Sequence, residues 1–229
     1  MTTTLDVQRA LLARGYDIGR AGADGDMGPA TLGAMLKALE TIPLPVATVA
    51  PVPSVPAGVV PADWMPWARM QRIIIHWSAG ANKVSAIDRK HYHLILDGEG
   101  NLVRGDHSIA DNVSTGDGKY AAHTLGLNSG SIGVSLAGMA GATESPFQPG
   151  KSPITRAQWE KLPLVLADLC RRYAINVAAT TVLSHAEVEK TLGIKQRGKW
   201  DIARLPFDPS IVGAKAVGDQ FRAATKALL

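Results

Sequence analysis

The hydrophobic pattern of residues 1–40 predicts two short helices joined by a polar turn. Four residues at helical spacing mark the first helix: Leu5, Gln8, Leu11 and Leu12. Gly15 is typical of the position just after a helix C-terminus, and Pro29 suits the first position of the second helix. An apolar stripe, which we expect to face a small core, follows at Leu32, Met35, Leu36 and Leu39. Residues 1–40 are therefore predicted to form a small all-α module.

A proline-rich stretch follows this module. Six of the 23 residues 41–63 are proline, and Asp63 is the only charged residue among them. Proline restricts φ and favours extended polyproline II, so we predict a semi-rigid spacer within a linker that spans residues 41–66. A loop lying over the larger domain is the alternative, because the stretch is also rich in valine and alanine.

After residue 66 the pattern changes to short apolar runs typical of strands. Arg72–Trp77 is rich in isoleucine, as in a strand buried on both faces, and Ser131–Leu136 and Val182–Leu183 are two further strands. Tyr92–Leu96 and Leu102–Arg104 flank a turn rich in glycine and acidic residues, which predicts a hairpin.

One long helix is predicted after Thr155, a good N-cap residue. Pro163 lies inside its pattern and predicts a kink, since proline cannot donate one of the helical hydrogen bonds. Cys170 lies on the leucine-rich face and is expected to be a core residue rather than a catalytic thiol. Strands alternating with helices make residues 67–229 an α/β domain.

The composition argues against several classes of function. Lysine and arginine exceed aspartate and glutamate by 24 to 20, but no block of five or more basic residues supports nucleic-acid binding. No run approaches the roughly 18 apolar residues that span a bilayer, so no integral membrane segment is expected. The one cysteine excludes an internal disulfide, and the first residues show no Sec signal.

Two histidines and one aspartate are candidate metal ligands. His76 lies near the end of a buried apolar strand, His185 follows another, and Asp201 comes sixteen residues after His185. Two imidazoles and one carboxylate leave one position of a tetrahedral zinc ion open, as in catalytic rather than structural zinc sites. Six histidines and 20 acidic residues offer many such triples, so the spacing by itself does not single out this one.

Residues 70–208 resemble the zinc-dependent N-acetylmuramoyl-L-alanine amidases, a family that includes amidase endolysins of phages and the peptidoglycan recognition proteins. Six segments carry the resemblance in the family's order: IIIHWSAG, HYHLILDGEGNLVRG, AAHTLGLNSGSIGVSL, TRAQWEKL, VLSHAEV and RGKWD. The resemblance implies a mixed central sheet flanked by helices and one zinc ion per chain, bound by His76, His185 and Asp201. It also implies hydrolysis of the amide between N-acetylmuramic acid and the L-alanine of the stem peptide.

The same resemblance implies roles for four further residues. Lys199, two positions before the third ligand, would stabilise the oxyanion that forms on the scissile carbonyl. Tyr92 would hydrogen-bond the attacking water or that carbonyl, although a glutamate is the general base in some relatives and the assignment of the base stays open. His123 and Asn128 match positions that line the substrate cleft, while a packed, hydrogen-bonded histidine is the alternative for His123.

Other residues stay outside the predicted ligand set. His91 and His93 are a rival metal pair, but on a strand they would point away from the face that carries Tyr92. Glu187 suits either a position that orients a ligand or the first turn of a helix. The chain also departs from the family where Ile202, rather than the frequent proline, follows Asp201, and where the connection between His185 and Lys199 is long.

Residues 1–40 resemble a small helical peptidoglycan-binding module through VQRALLARGY and ADGDMGPATLGAML. Together the two resemblances predict a monomeric wall hydrolase with bacterial peptidoglycan as its partner, most similar to a phage endolysin that passes from the host cytoplasm to the cell wall. Two alternatives stay open. One is a peptidoglycan-recognition protein without activity, and the other is a zinc peptidase that cuts the stem-peptide cross-links.

Overall fold

The computed structural model describes residues 2–41 and 58–229, which belong to two separate compact units. Most of the predicted linker, residues 42–57, lies outside the described residues. Within the described ranges, no helix is both long enough and apolar enough to cross a membrane.

The smaller unit contains the two predicted helices, α1 (Thr4–Ala13) and α2 (Pro29–Thr41). The expected apolar face of α2 is wrong for three of its four residues: Leu32, Leu36 and Leu39 are 48%, 63% and 62% exposed, whereas Met35 packs against the small core. The neighbouring face, with buried Thr31 and Ala34, packs towards α1 instead. Small side chains on that face allow the two helices to approach closely, so the leucines are left at the surface.

Gln8 holds the turn between these helices in place. Its buried side-chain amide donates to a carboxylate oxygen of Asp24, to the carbonyl of Asp26 and to the hydroxyl of Thr31 at 2.8, 2.8 and 3.1 Å. Its oxygen accepts from the backbone N–H of Gly25 at 2.7 Å. One buried polar side chain therefore joins α1, the Gly/Asp turn and α2.

The larger unit is an α/β domain built on one five-stranded sheet. Its strands are β1 (Arg72–Trp77), β2 (Leu94–Leu96), β3 (Leu102–Arg104), β4 (Ser131–Leu136) and β5 (Val182–Ser184). Its helices are α3 (Ala86–His91), α4 (Arg156–Tyr173), α5 (His185–Leu192) and α6 (Ala214–Lys226). The strand order is β3-β2-β4-β1-β5, with β3 antiparallel to β2 and the other neighbours parallel. The mixed sheet flanked by helices confirms the predicted fold class.

Both faces of the sheet are covered, which explains the apolar run in β1. Ile73 and Ile75 face the main core, while Ile74 packs in a second cluster with Leu183 and Val188. The helix α4 begins after its predicted cap, Thr155, whose hydroxyl accepts from the backbone N–H of Gln158. It continues through Pro163 without a break, and Cys170 is buried on its core face, as predicted.

The start of β2 and the start of the larger domain differ from the sequence prediction. The strand β2 begins at Leu94 rather than Tyr92, because α3 continues to His91 and Tyr92 is its C-cap. Residues 58–66, placed in the linker by their composition, pack on the domain: Val60 and Met65 are buried in its core. The backbone N–H of Val60 also donates to a carboxylate oxygen of Asp168 at 3.0 Å.

Candidate metal centre

The register of the sheet brings the two predicted metal histidines side by side. β1 and β5 are parallel neighbours, and Ile75 pairs with Ser184. His76 follows Ile75 within β1, and His185 follows Ser184 directly after β5, so both lie at the same edge of the sheet. His185 is also the first residue of α5, which begins directly after β5.

Asp201 reaches this edge from the loop after α5. Its backbone carbonyl accepts from the N–H of Ala186 at 3.2 Å, which ties the loop to the first turn of that helix. The next residue, Ile202, is fully buried and has a φ of +66°. Proline cannot adopt this φ, so the departure from the family's frequent proline reflects a different backbone path after the third predicted ligand.

The three side chains form a compact, buried cluster. One carboxylate oxygen of Asp201 lies 3.0 Å from Nδ1 of His185 and 3.4 Å from Nδ1 of His76. The candidate ligand atoms all lie within 4.8 Å of one another. Ligands of one ion with bonds of about 2 Å lie within roughly 4 Å of one another, so this arrangement is close to binding geometry.

The charge states of these groups suit a divalent cation. Burial lowers the pKa of His76 to about 4, so its ring is neutral at pH 7 and offers a lone pair. Burial raises the pKa of Asp201, but its hydrogen-bonding contacts with His185 and His76 outweigh that effect and hold the pKa well below its usual range. The carboxylate is therefore ionised and the site has a buried negative charge facing imidazole nitrogens.

The ring of His185 faces oxygen atoms on both sides. Its Nδ1 faces Asp201, and its Nε2 lies 2.9 Å from Oε1 of Gln196, a residue that the sequence reasoning missed. A neutral imidazole has one N–H and can satisfy one of these acceptors, so its other nitrogen would be free to bind a metal ion together with the carboxylate. The donor set, two histidines and an ionised aspartate, fits a metal ion of the zinc type.

His185 and Asp201 of this cluster line an open cleft of about 640 Å³, whereas His76 is fully buried. Besides the predicted ligands, four residues predicted from the sequence line this cleft: Tyr92, His123, Asn128 and Lys199. Lys199 is exposed, as is Arg197, so the rim of the cleft is basic beside the buried aspartate. Aromatic rings of Trp77, Tyr120 and Trp200 contribute to the walls.

Tyr92 stands next to the first histidine, with its ring centroid 5.1 Å from that of His76. Burial, followed by the charges of Asp201 and Asp88, raises the pKa of its phenol well above the usual value. The hydroxyl therefore keeps its proton at neutral pH and can donate a hydrogen bond. Among the residues that the structure describes, no glutamate lines the cleft.

His123 and Asn128 line the cleft but also make hydrogen-bonding contacts within the protein. His123 is 8% exposed, and its Nδ1 lies 3.2 Å from Nε2 of His76 and 2.8 Å from the hydroxyl of Thr124. Asn128 accepts from the backbone N–H groups of His123 and Thr124 at 3.0 and 2.9 Å. A Cβ at Gly133 would lie 2.7 Å from the His123 ring, so this glycine provides the space for it.

The rival histidines lie outside the cluster, although the strand argument for His91 was wrong because that residue ends α3. Its Nδ1 lies 2.9 Å from the carbonyl of Ala122. His93 is fully engaged in the core: its Nε2 lies 3.0 Å from the amide oxygen of Asn112, and its Nδ1 accepts from the N–H of Gly133 at 2.9 Å. These contacts explain both rings without a metal.

Glu187 occupies the helix-start position. Its carboxylate accepts from the backbone N–H of Ser184 at 2.9 Å, completing the cap of α5. The same carboxylate accepts hydrogen bonds from both terminal nitrogens of buried Arg222, with N–O distances of 3.0 and 2.8 Å. The ion pair thereby anchors the helix turn that carries His185 to α6.

Comparison with known proteins gives one family match. The model of the family described as N-acetylmuramoyl-L-alanine amidase matches residues 66–202, more than half of the chain. No curated protein matches the chain. The amidase LysC from Clostridium intestinale URNW is similar in structure at 14% identity, covering 69% of this chain and 87% of that chain, with a TM-score of 0.43. AmiD from E. coli, solved with anhydro-N-acetylmuramic acid-L-Ala-D-gamma-Glu-L-Lys, has 19% identity, coverages of 53% and 50%, and a TM-score of 0.39.

Proposed function

The chain belongs to the N-acetylmuramoyl-L-alanine amidase family and is a peptidoglycan amidase, and we propose that it works with a zinc ion held by His76, His185 and Asp201. The bond cleaved joins N-acetylmuramic acid to the L-alanine of the stem peptide. The observation that supports zinc is the buried cluster in which two imidazole nitrogens face one ionised carboxylate oxygen. A bound zinc ion would supply Lewis acidity that polarises the scissile carbonyl and activates water.

In this proposal, residues around the cluster stabilise the developing charge and hydrogen-bond the reacting groups. The ammonium of Lys199, at the rim of the cleft, stabilises negative charge that develops on the carbonyl oxygen. The phenol of Tyr92 holds its proton and donates a hydrogen bond to the reacting water or carbonyl. The cleft is open, so the scissile amide can reach the exposed Lys199 and the groups beside it.

The reaction is tested by digesting purified sacculi with the full chain, with zinc or with chelator. We expect zinc-dependent loss of turbidity and, by mass spectrometry, intact stem peptides with a new N-terminal alanine. Cuts inside the stem would identify a peptidase instead. Absence of new N-terminal alanine under every metal condition would identify a recognition protein without activity.

The metal site is tested by His185→Ala. The variant should lose bound zinc, measured by elemental analysis, and should lose hydrolysis of sacculi, because two side chains do not hold the ion tightly. His107→Ala is the matched control, since His107 contacts Asp111 outside the cluster and should leave zinc near one per chain. A zinc-loaded, fully active His185→Ala protein would refute the ligand set.

We also propose that the chain acts as an amidase-type phage endolysin that degrades the host wall from within. The proposal is supported by the pairing of an amidase domain with a helical segment similar to peptidoglycan-binding modules. Bacteria expressing the chain should grow normally until a membrane-permeabilising agent is added and should then lyse. Lysis without permeabilisation, or none after it, would contradict this role.

A further inference from the structure

Gln196 contacts the predicted metal ligand His185 through the ring nitrogen that does not face Asp201. Its side chain is buried, 2% exposed, and its Oε1 lies 2.9 Å from Nε2 of that ring. It stands in the long connection between His185 and Lys199, where the sequence departs from the family pattern.

The orientation of the Gln196 amide follows from its other neighbours. Its nitrogen lies 2.9 Å from the carbonyl of Leu125 and 3.3 Å from the carbonyl of Ile194. Carbonyl oxygens accept hydrogen bonds, so the NH₂ group must face them and the amide oxygen must face His185. The reverse orientation would bring the amide oxygen against two acceptors.

An amide oxygen is an acceptor, so Nε2 of His185 must carry the N–H in this contact. With its proton on Nε2, the ring presents the Nδ1 lone pair towards Asp201. We propose that Gln196 is a positioning residue that holds His185 in the tautomer and orientation needed to bind the metal. This inference rests on the proposed zinc site.

The loop of residues 121–128 contacts the surroundings of both histidine ligands. The Leu125 carbonyl fixes the amide of Gln196, while His123 and Thr124 lie at 3.2 and 3.4 Å from Nε2 of the other histidine, His76. The same loop therefore contacts the outer nitrogen of one ligand directly and reaches that of the other through Gln196.

The test compares two substitutions in the full chain. Gln196→Met removes the acceptor and the donors; Gln196→Glu keeps an acceptor towards His185 but loses the donors to Leu125. Zinc affinity is measured by competition with a chromophoric chelator. We expect Gln196→Met to weaken zinc binding by roughly 10- to 100-fold, the usual cost of losing such a partner. Gln196→Glu keeps the acceptor but places its second oxygen against the carbonyl of Leu125, so we expect it to weaken zinc binding less than Gln196→Met does. Lys195→Met, an exposed neighbour, is the matched control and should bind zinc as wild type does.

A second measurement reports the hydrogen bond itself. In the zinc-loaded wild type, nuclear magnetic resonance should show a slowly exchanging proton on Nε2 of His185, and in Gln196→Met that proton should exchange rapidly. If both substitutions weaken zinc equally, Gln196 only tethers the loop and the proposal is wrong. If Gln196→Met binds zinc normally, the proposal is also wrong. A wild type that binds no zinc would instead contradict the proposed metal site.

Discussion

The orientation of the two histidine rings determines which of their nitrogen atoms can bind a metal ion. His185 and His76 both direct Nδ1 at Asp201, while their Nε2 atoms are taken up by Gln196 and by His123 with Thr124. Lone pairs therefore converge on one point, which is what a metal ion requires of its ligands. Neighbours of the ligands therefore help to hold that geometry.

Lys199 gives a prediction at this scale. Lys199→Ala should leave zinc near one per chain, because the ammonium is not a ligand, but should lower turnover by about 10²- to 10³-fold through loss of one oxyanion contact. Turnover on soluble muropeptide and zinc content are measured on the same preparation. Lys195→Ala, four positions earlier and exposed, should retain both values. Unchanged turnover in Lys199→Ala would exclude the catalytic role.

His93 predicts a pH dependence of stability. Burial lowers its pKa to about 4 from an ordinary 6.5. Between these values the unfolded chain binds the proton and the folded one does not, so the free energy of unfolding falls as the pH falls from 6.5 to 4. The stabilisation, on the order of 3 kcal/mol, is complete above pH 6.5.

The measurement is urea unfolding of metal-free wild type and metal-free His93→Asn at pH 7.5 and 4.5. The variant lacks the titrating ring, so its stability should fall less between the two pH values. His76 titrates in both proteins and cancels in the comparison. The neighbouring His123 also has a lowered pKa, partly because of His93, so removing His93 raises that pKa and changes the result in the same direction. Equal losses in the two proteins would contradict the assignment to His93.

Among the elements, α5 matters most for the position of the metal site, because its first residue, His185, is a predicted ligand. Its N-terminus follows β5 directly, and the carboxylate of Glu187 accepts from the backbone N–H of its N-cap residue, Ser184. The same carboxylate is paired with Arg222 of α6. Arg222 also donates to the carbonyl of Val182 in β5 at 3.0 Å. One buried ion pair therefore joins a strand and two helices beneath the metal site.

Arg222→Leu should lower the free energy of unfolding by about 3–5 kcal/mol, because it leaves the Glu187 charge buried without a partner. Urea denaturation measures the loss. The double variant Glu187→Gln with Arg222→Leu has no unpaired charge and should be more stable than Arg222→Leu alone. A double variant that is less stable than Arg222→Leu would show that lost packing, rather than the buried charge, sets the cost.

At the scale of the whole molecule, the chain combines two compact units of different size. The smaller one depends on a buried hydrogen-bonded glutamine and a small apolar core, and the larger one on a sheet whose central strands are buried. A wall-binding module raises the effective concentration of an attached enzyme at an insoluble substrate without altering its active site.

A chain of residues 55–229 should therefore hydrolyse soluble muropeptide at the wild-type rate but require on the order of 100-fold more enzyme to clear sacculi. Turbidity and soluble-substrate assays are run in parallel. The full-chain variant Gln8→Leu, which leaves the partners of that amide unsatisfied, should behave like the truncated chain. Equal clearing by all three proteins would show that the helical unit has no part in wall binding.

Local patterns in the sequence determined much of this protein. The isoleucine run predicted β1, Thr155 predicted the start of α4, and Pro29 predicted the start of α2, because strand burial, capping and helix-compatible φ depend on neighbouring residues. Motif resemblance selected the His76, His185 and Asp201 triple from many. Periodicity and short motifs are local signals, so they carry over to structure where local preference and tertiary packing agree.

Only the tertiary structure decided the rest. The exposed leucines of α2, the helical position of His91 and the packing of Val60 depend on which surfaces meet, and periodicity does not contain that information. Gln196 could not be found from sequence, since its role requires the carbonyl of Leu125 and the ring of His185 to meet at one side chain. Contacts between distant residues arise from sheet register and loop path, which the chain specifies only as a folded whole.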